Sequence, residues 1–379
     1  MSSSAPSLRS AAPVTVLAAL LAAAPPTLAD VIRRTDGELI EDVSVVEENL
    51  AEVKYKSGRT DRTVPSDEVL SITYTKKPRD VDEAETMLVD GSYVDALDKY
   101  SEYVEGILDG SSTERRYKWA PAYAAWKVVE IEMSLGNLPG AVTAANRVLG
   151  RFPDSRFVPA AYLTKANALH WQGKSDEAQK ALQSFQQLIK DRNLSRRWEL
   201  ECKLALVQTD PRLRGVKKRD ELVAIQDDAR GDYPTVRNRA RVAEGESFLE
   251  EAEGVGDTKA RLGLVGKARP IFEKILEDFK ADDETLAGAY AGMGDCLFQE
   301  AVARDKEPGL LKEALHHYLR VTVLYKDQNR YLPKALFSAG LCFEYLGGDE
   351  DRSRSRSMYR NVIANFPDST WAAEAQKRL

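Results

Sequence analysis

Histidine and cysteine are scarce in this chain, three of each in 379 residues. His170, His316 and His317 are not spaced for two rings to meet one metal from a single helix face, so no metal site and no cofactor is expected. Cys202, Cys296 and Cys342 fall in helical, partly apolar stretches and read as small buried hydrophobes. Cys296 follows Gly294 by two positions and Cys342 follows Gly340 by two, which puts them at equivalent places in adjacent units. Packed helices lie roughly 8 to 10 Å apart and a disulfide needs Cα atoms within about 7 Å, so no bridge between them is expected. No serine or cysteine has a recognisable base partner, and enzyme activity is not expected. Gly173-Lys174-Ser175 has the look of the end of a phosphate-binding loop, but Ala168 stands where its first glycine belongs, and the segment reads as a turn between helices.

Basic excess is missing too. With 54 Lys and Arg against 60 Asp and Glu, the formal charge is −6, whereas a surface for nucleic-acid phosphates needs a positive balance. After residue 29 no stretch is apolar and long enough for a membrane helix. Val14 to Ala24 is apolar but short, Arg9 is the only charge in residues 1–29, and Thr27-Leu28-Ala29 offers small residues for a leader peptidase. A secretory signal peptide over 1–29 and a mature chain from Asp30 are therefore expected, exported to the periplasm or secreted. No cysteine follows the cleavage point to carry a lipid.

Residues 30–78 alternate or favour branched side chains: Val31-Ile32, Leu39-Ile40, Val43 and Val45, Val53 and Tyr55, then Val69, Ile72 and Tyr74. Asp36-Gly37 is a strong hairpin turn, Glu48-Asn49 and Ser57-Gly58 are weaker ones, and Pro65-Ser66-Asp67 interrupts before the last strand. Five short strands predict a small closed or nearly closed barrel. In strand spacing the segment resembles an SH3-like or Sm-like module.

From residue 79 to 379 the period becomes helical. Gly91 with Ala96, Gly136 with Ala141 and Gly173 with Ala178 repeat one spacing, glycine in the turn and alanine on the following helix. Tyr100, Ala145 and Leu182, then Tyr103, Val148 and Phe185, recur at fixed offsets in units of about 34 residues. Two junctions share a phrase: Arg151-Phe152-Pro153-Asp154-Ser155 and Asn365-Phe366-Pro367-Asp368-Ser369. Proline cannot continue a helix, and Asp or Ser can cap the next.

On these residues the chain resembles the tetratricopeptide repeat family. The resemblance implies a mainly α fold: a right-handed solenoid of about seven helix pairs with a closing helix from Ser369, preceded by the β module. The Phe-Pro-Asp-Ser junction is similar to that of exported bacterial repeat proteins such as the outer-membrane assembly lipoprotein and the Tol-Pal coordinator. The chain departs from the first by lacking a lipid-bearing cysteine and from the second by carrying a β module in place of a coiled coil.

First helices of this family line a concave surface. The resemblance thus implies a partner-binding groove of Tyr123, Trp126, Glu130 and Met133, with Leu163, Asn167 and His170 at matching offsets of the next unit. Ordinary packing between units is the competing role for Tyr123 and Trp126. Arg352, Arg356 and Arg360 lie four apart and read as a solvated helix face, and Glu313 with His317 as a surface pair. The expected function is a non-enzymatic protein–protein interaction scaffold of the bacterial cell envelope, with protein partners. The alternatives are an accessory subunit of a polysaccharide-processing or other envelope enzyme, and a peptidoglycan or glycan-binding module acting through the β segment.

Overall fold

A computed structural model describes residues 29–110, 117–278 and 281–379; residues 1–28 of the expected leader lie outside it. Five strands come first: β1 (Asp30–Arg34), β2 (Leu39–Glu48), β3 (Glu52–Ser57), β4 (Thr60–Pro65) and β5 (Val69–Thr73). They pair antiparallel in the order β4-β3-β2-β1-β5. Ile32 stands opposite Ile40 on one side and Ile72 on the other, and Val53 opposite Val64. Buried side chains from all five strands, including Ile32, Val43, Val53, Val64 and Ile72, meet in one cluster, so the sheet curls round a single core. β4 and β5 remain its edges.

Two local expectations are corrected here. Leu39-Ile40 and Val43 with Val45 belong to one long strand, along which Asp42 takes a φ of 54°. Thr60–Pro65, which is not among the expected strands, is a strand whose only buried side chain is Val64, so it offers no alternation to read.

Fifteen helices follow among the described residues: α1 (Arg79–Val89), α2 (Tyr93–Leu108), α3 (Ala120–Ser134), α4 (Leu138–Arg151), α5 (Val158–Trp171), α6 (Ser175–Arg192), α7 (Arg196–Thr209) and α8 (Gly215–Asp228), then α9 (Pro234–Glu253), α10 (Thr258–Leu276), α11 (Asp283–Ala303), α12 (Pro308–Leu324), α13 (Leu332–Leu346), α14 (Asp349–Asn365) and α15 (Thr370–Gln376). Consecutive helices pack as pairs, each pair stacks on the next, and α15 closes the array. The chain is a helix-pair solenoid behind a five-stranded sheet.

The turns explain the glycine and alanine spacing. Gly136 and Gly173 take φ values of 73° and 79°, a left-handed conformation that a side chain disfavours, and each reverses the chain in a few residues. Ala141 and Ala178 are fully buried, so the second helix of each pair lies close on the first. Inside α11 and α13 glycine sets the approach directly: a Cβ on Gly294 would stand 2.6 Å from the ring of Tyr318, and one on Gly340 2.5 Å from that of Tyr359.

The two Phe-Pro-Asp-Ser phrases fold alike. Phe152 and Phe366 have φ of −132° and −136° with ψ of 54° and 51°, and each carbonyl accepts from the serine amide at 3.0 Å. The caps differ. Ser369 Oγ accepts from the Ala372 amide at 3.1 Å and caps α15, whereas Ser155 Oγ accepts from Phe157 at 3.3 Å and α5 starts later.

The sheet is fastened to the helices at the first phrase. Arg156 donates to Glu48 in an ion pair whose side chains are 7% and 6% exposed, and Glu48 also accepts from the Tyr74 hydroxyl. Tyr74 stacks flat on Trp119, centroids 3.5 Å apart. At the other end the last unit returns to the second. The Asn329 amide donates to the Met133 carbonyl, and Gly136 lies against the Asn365 carbonyl and the Phe366 ring, with no room for a Cβ.

The cysteines are free and buried, and burial pushes the Cys202 thiol up to about 12. Arg352, Arg356 and Arg360 lie exposed on α14. The pairing of Glu313 with His317 is corrected: the His317 ring lies 5.9 Å from that of Tyr290, and burial, helped by Arg320, lowers its pKa to about 4, so it is uncharged at neutral pH.

Candidate functional site

The first helices of the later pairs carry charge where the core would suggest apolar residues. Arg239 of α9 lies 2.8 Å from Glu284 of α11, 3.5 Å from Asp282 and 3.6 Å from Glu201 of α7. Arg330, just before α13, lies 3.6 Å from Glu284 and 3.8 Å from Glu246, and donates to Gln208 at 3.3 Å. Lys334 of α13 holds Asp295 of α11 at 2.5 Å, and Asp295 also accepts from the Tyr318 hydroxyl at 2.7 Å. Lys218 of α8 grips both oxygens of Glu250 at 2.8 and 3.0 Å. With Glu253, this wall brings seven carboxylates (Glu201, Glu246, Glu250, Glu253, Asp282, Glu284, Asp295) against four cations (Lys218, Arg239, Arg330, Lys334).

Burial opposes charge at Arg239, Arg330 and Lys334, yet neighbouring acidic groups outweigh it and raise all three pKa values. Burial raises the Glu246 carboxyl above its ordinary range, because Arg330 is too far to restore it fully. His170 is pushed down by burial and by Arg330 and Lys218; its Nδ1 lies 3.0 Å from Ser175 Oγ.

Three cavities run together along this wall. One of roughly 380 Å³ lies between the second and third turns and the last unit, walled by Leu138, Trp171, Pro333, Phe366 and Trp371. The second, of about 230 Å³, shares His170, Trp171, Arg330 and Trp371 with it and reaches Glu246, Glu253, Asp295 and Lys334. The third, about 620 Å³, shares His170, Gln208, Lys218, Glu250 and Glu253 with the second. Together they form one channel with an apolar end and a charged end, the mixture that suits a ligand needing both anchoring and orientation.

Of the seven groove residues expected from sequence, Asn167 and His170 line this channel. Tyr123 is half-buried in an aromatic cluster, 5.5 Å from Trp119 and 6.1 Å from Tyr74, and its hydroxyl donates to Glu85 at 2.7 Å. Trp126 stacks on Phe157 at 5.8 Å. Both therefore pack between elements, because the sheet and the α4–α5 junction occupy the space beside them. Glu130 pairs with Lys127 at 2.7 Å, Met133 packs against the cluster of Leu138, Ala141 and Ala168, and Leu163 against that of α5 to α7. Sequence reasoning missed Trp171, Trp371, Arg330 and Glu246. A signal was present: Glu246 and Asp295 each follow a glycine among small residues, an odd place for a carboxylate unless it faces a cavity.

Residues 334–369, spanning α13, α14 and the second Phe-Pro-Asp-Ser phrase, match the family model of the tetratricopeptide repeat. Repeats of this family generally mediate protein–protein interaction, and scaffolds built from them are typically non-enzymatic. Among solved structures, the TPR domain of P58(IPK) aligns with 78% of this chain and 86% of its own at 17% identity, with a TM-score of 0.26. Yeast Tom70 aligns with 79% of this chain and 68% of its own at 15% identity, with a TM-score of 0.24. Superpositions that loose carry no argument; the repeat assignment rests on the matched segment and on the pairing of the helices. No curated protein matches the chain.

Proposed function

We propose that the chain is a non-enzymatic protein–protein interaction scaffold of the bacterial cell envelope, which holds a segment of a partner in its channel. The observation that carries this reading is the continuity of the three cavities across the first helices of several units, with Trp171 and Trp371 shared between the first two. Aromatic walls give large contact area with few rotors to freeze, as binding hot spots do. Residues 30–78 act as a docked cap on the solenoid of residues 79–379, since Glu48, Tyr74 and Arg156 join the two in a buried contact.

Export is part of the proposal. The leader-like composition of residues 1–29 supports it, as does the start of β1 at Asp30, where cleavage is expected. N-terminal sequencing of the protein released by osmotic shock should find Asp30 or a near neighbour first; an uncleaved chain in the cytoplasm would remove the envelope from the proposal.

A photocrosslinking residue at Asn167, in the channel, tests the binding role against one at Arg356, on the exposed face of α14. Asn167 should capture a protein that mass spectrometry identifies and that binds the purified chain in isothermal titration. Capture from Arg356 and never from Asn167 would refute the channel as the binding surface.

A further inference from the structure

Resting on the scaffold reading, we infer that the channel selects a basic segment: a stretch of partner chain in which a lysine or arginine stands beside a bulky apolar residue. The apolar end, with Trp171, Trp371 and Phe366, takes the bulky side chain. Trp171 and Trp371 also line the second cavity, so the neighbouring side chain of the segment enters the space faced by Glu246 and Glu253.

The cations already there are held by other acids. Lys334 is bound to Asp295 at 2.5 Å and Lys218 to Glu250 at 2.8 Å. Arg330 divides itself between Glu284 and Glu246 and bonds Gln208. Glu246, with its side chain 23% exposed, has Arg330 at 3.8 Å, beyond hydrogen-bond reach, while Lys334 and Lys218 act on it from farther away. A carboxylate partly withdrawn from water gains from a donor in close contact. Glu253 stands more exposed at the junction of the second and third cavities, and among the described residues Lys334 acts on it only from beyond ion-pair distance.

An incoming ammonium or guanidinium completes both groups. An incoming carboxylate enters a cavity lined by four acids, Glu246, Glu250, Glu253 and Asp295, against three bases, Lys218, Arg330 and Lys334, the bases already engaged. The charge pattern therefore reads the sign of the segment, while the tryptophans read its bulk.

Two labelled peptides of equal length test this on the full chain by fluorescence polarisation: one with a Trp-Lys-Leu-Arg core between Gly-Ser flanks, the other with Trp-Glu-Leu-Asp. At about 0.1 M salt, where exposed charges are partly screened, the basic peptide should bind about tenfold more tightly or better. Glu246→Gln with Glu253→Gln should remove most of that preference, and Trp171→Ala should weaken both peptides. Glu253→Lys, at the more exposed position, should turn the preference toward the acidic peptide even if the double variant fails to fold. A preference for the acidic peptide in the unaltered chain, or a basic-peptide affinity unmoved by all the carboxylate variants, overturns the inference and leaves the scaffold reading standing. If neither peptide binds while a crosslinker at Asn167 still captures a partner, the basic segment is likewise wrong. If neither peptide binds and Asn167 captures nothing, the scaffold reading falls with it.

Discussion

Arg156→Ala tests the sheet-to-solenoid contact directly. The Arg156 and Glu48 side chains are 7% and 6% exposed, so the pair is out of water. Removing one partner strands the other charge, at a cost of about 3 to 5 kcal/mol. The Arg156 guanidinium also lies 4.2 Å from the centroid of the Phe157 ring, a cation–π contact worth about 1 kcal/mol when partly desolvated. Water entering the space left by the side chain offsets part of the loss, so about 3 to 5 kcal/mol remains the expected total. At roughly 1 to 2 °C per kcal/mol for a folded chain of this size, the melting transition should fall by about 3 to 10 °C. Hydrogen exchange read by mass spectrometry should show β1, β2 and the amides around Trp119 losing protection before α9 to α14 do. Glu48→Gln combined with Arg156→Met should recover most of the loss, because neither side then leaves a stranded charge. If Arg156→Ala melts within about 1 °C of the parent and β1 stays protected, the pair is not a buried contact in solution and the docked-cap geometry is wrong.

Gly340→Ala should cost about 1 to 3 kcal/mol by overpacking, since its new Cβ would lie 2.5 Å from the Tyr359 ring; an unchanged urea midpoint would contradict that approach. His317, held near pKa 4 in the folded chain against 6.5 ordinarily, favours the folded state when neutral. Its contribution is complete above pH 6.5 and is lost as pH falls toward 4, so His317→Gln should flatten the acid limb of melting temperature against pH over that window. Ending the chain after Ser369 removes α15 with Trp371 and should raise exchange first in α13 and α14 while β1 to β5 stay protected. A uniform rise along the chain would mean that the units do not open separately.

The solenoid was legible because its signals are local. Glycine at positive φ and a buried alanine five residues later need only neighbouring residues to be understood, and Gly136 with Ala141 carries both. The Phe-Pro-Asp-Ser turn is local as well, which is why its two copies share backbone angles. β4 escaped notice because one buried valine makes no pattern. The channel escaped for a different reason: Trp171 and Trp371 are two hundred positions apart in sequence and meet only because the array bends back on itself. Tyr123 and Trp126 illustrate the converse. They stand on α3, but the sheet and the Phe157 ring that pack beside them come from elsewhere in the chain.

The contact of Asn329 with Met133, and of Phe366 with Gly136, has a consequence for evolution as much as for folding. An open stack of units tolerates gain or loss of a member, because each touches only its neighbours. Here the ends of the stack from α3 to α14 meet, and the number of units between them is fixed by the circumference. Because the first helices of successive pairs touch, inserting or deleting one pair would displace Gly136 from Phe366 by about one helix spacing, roughly 8 to 10 Å. This chain should therefore vary in length within its connections, such as that between α10 and α11, and keep its count of helix pairs constant.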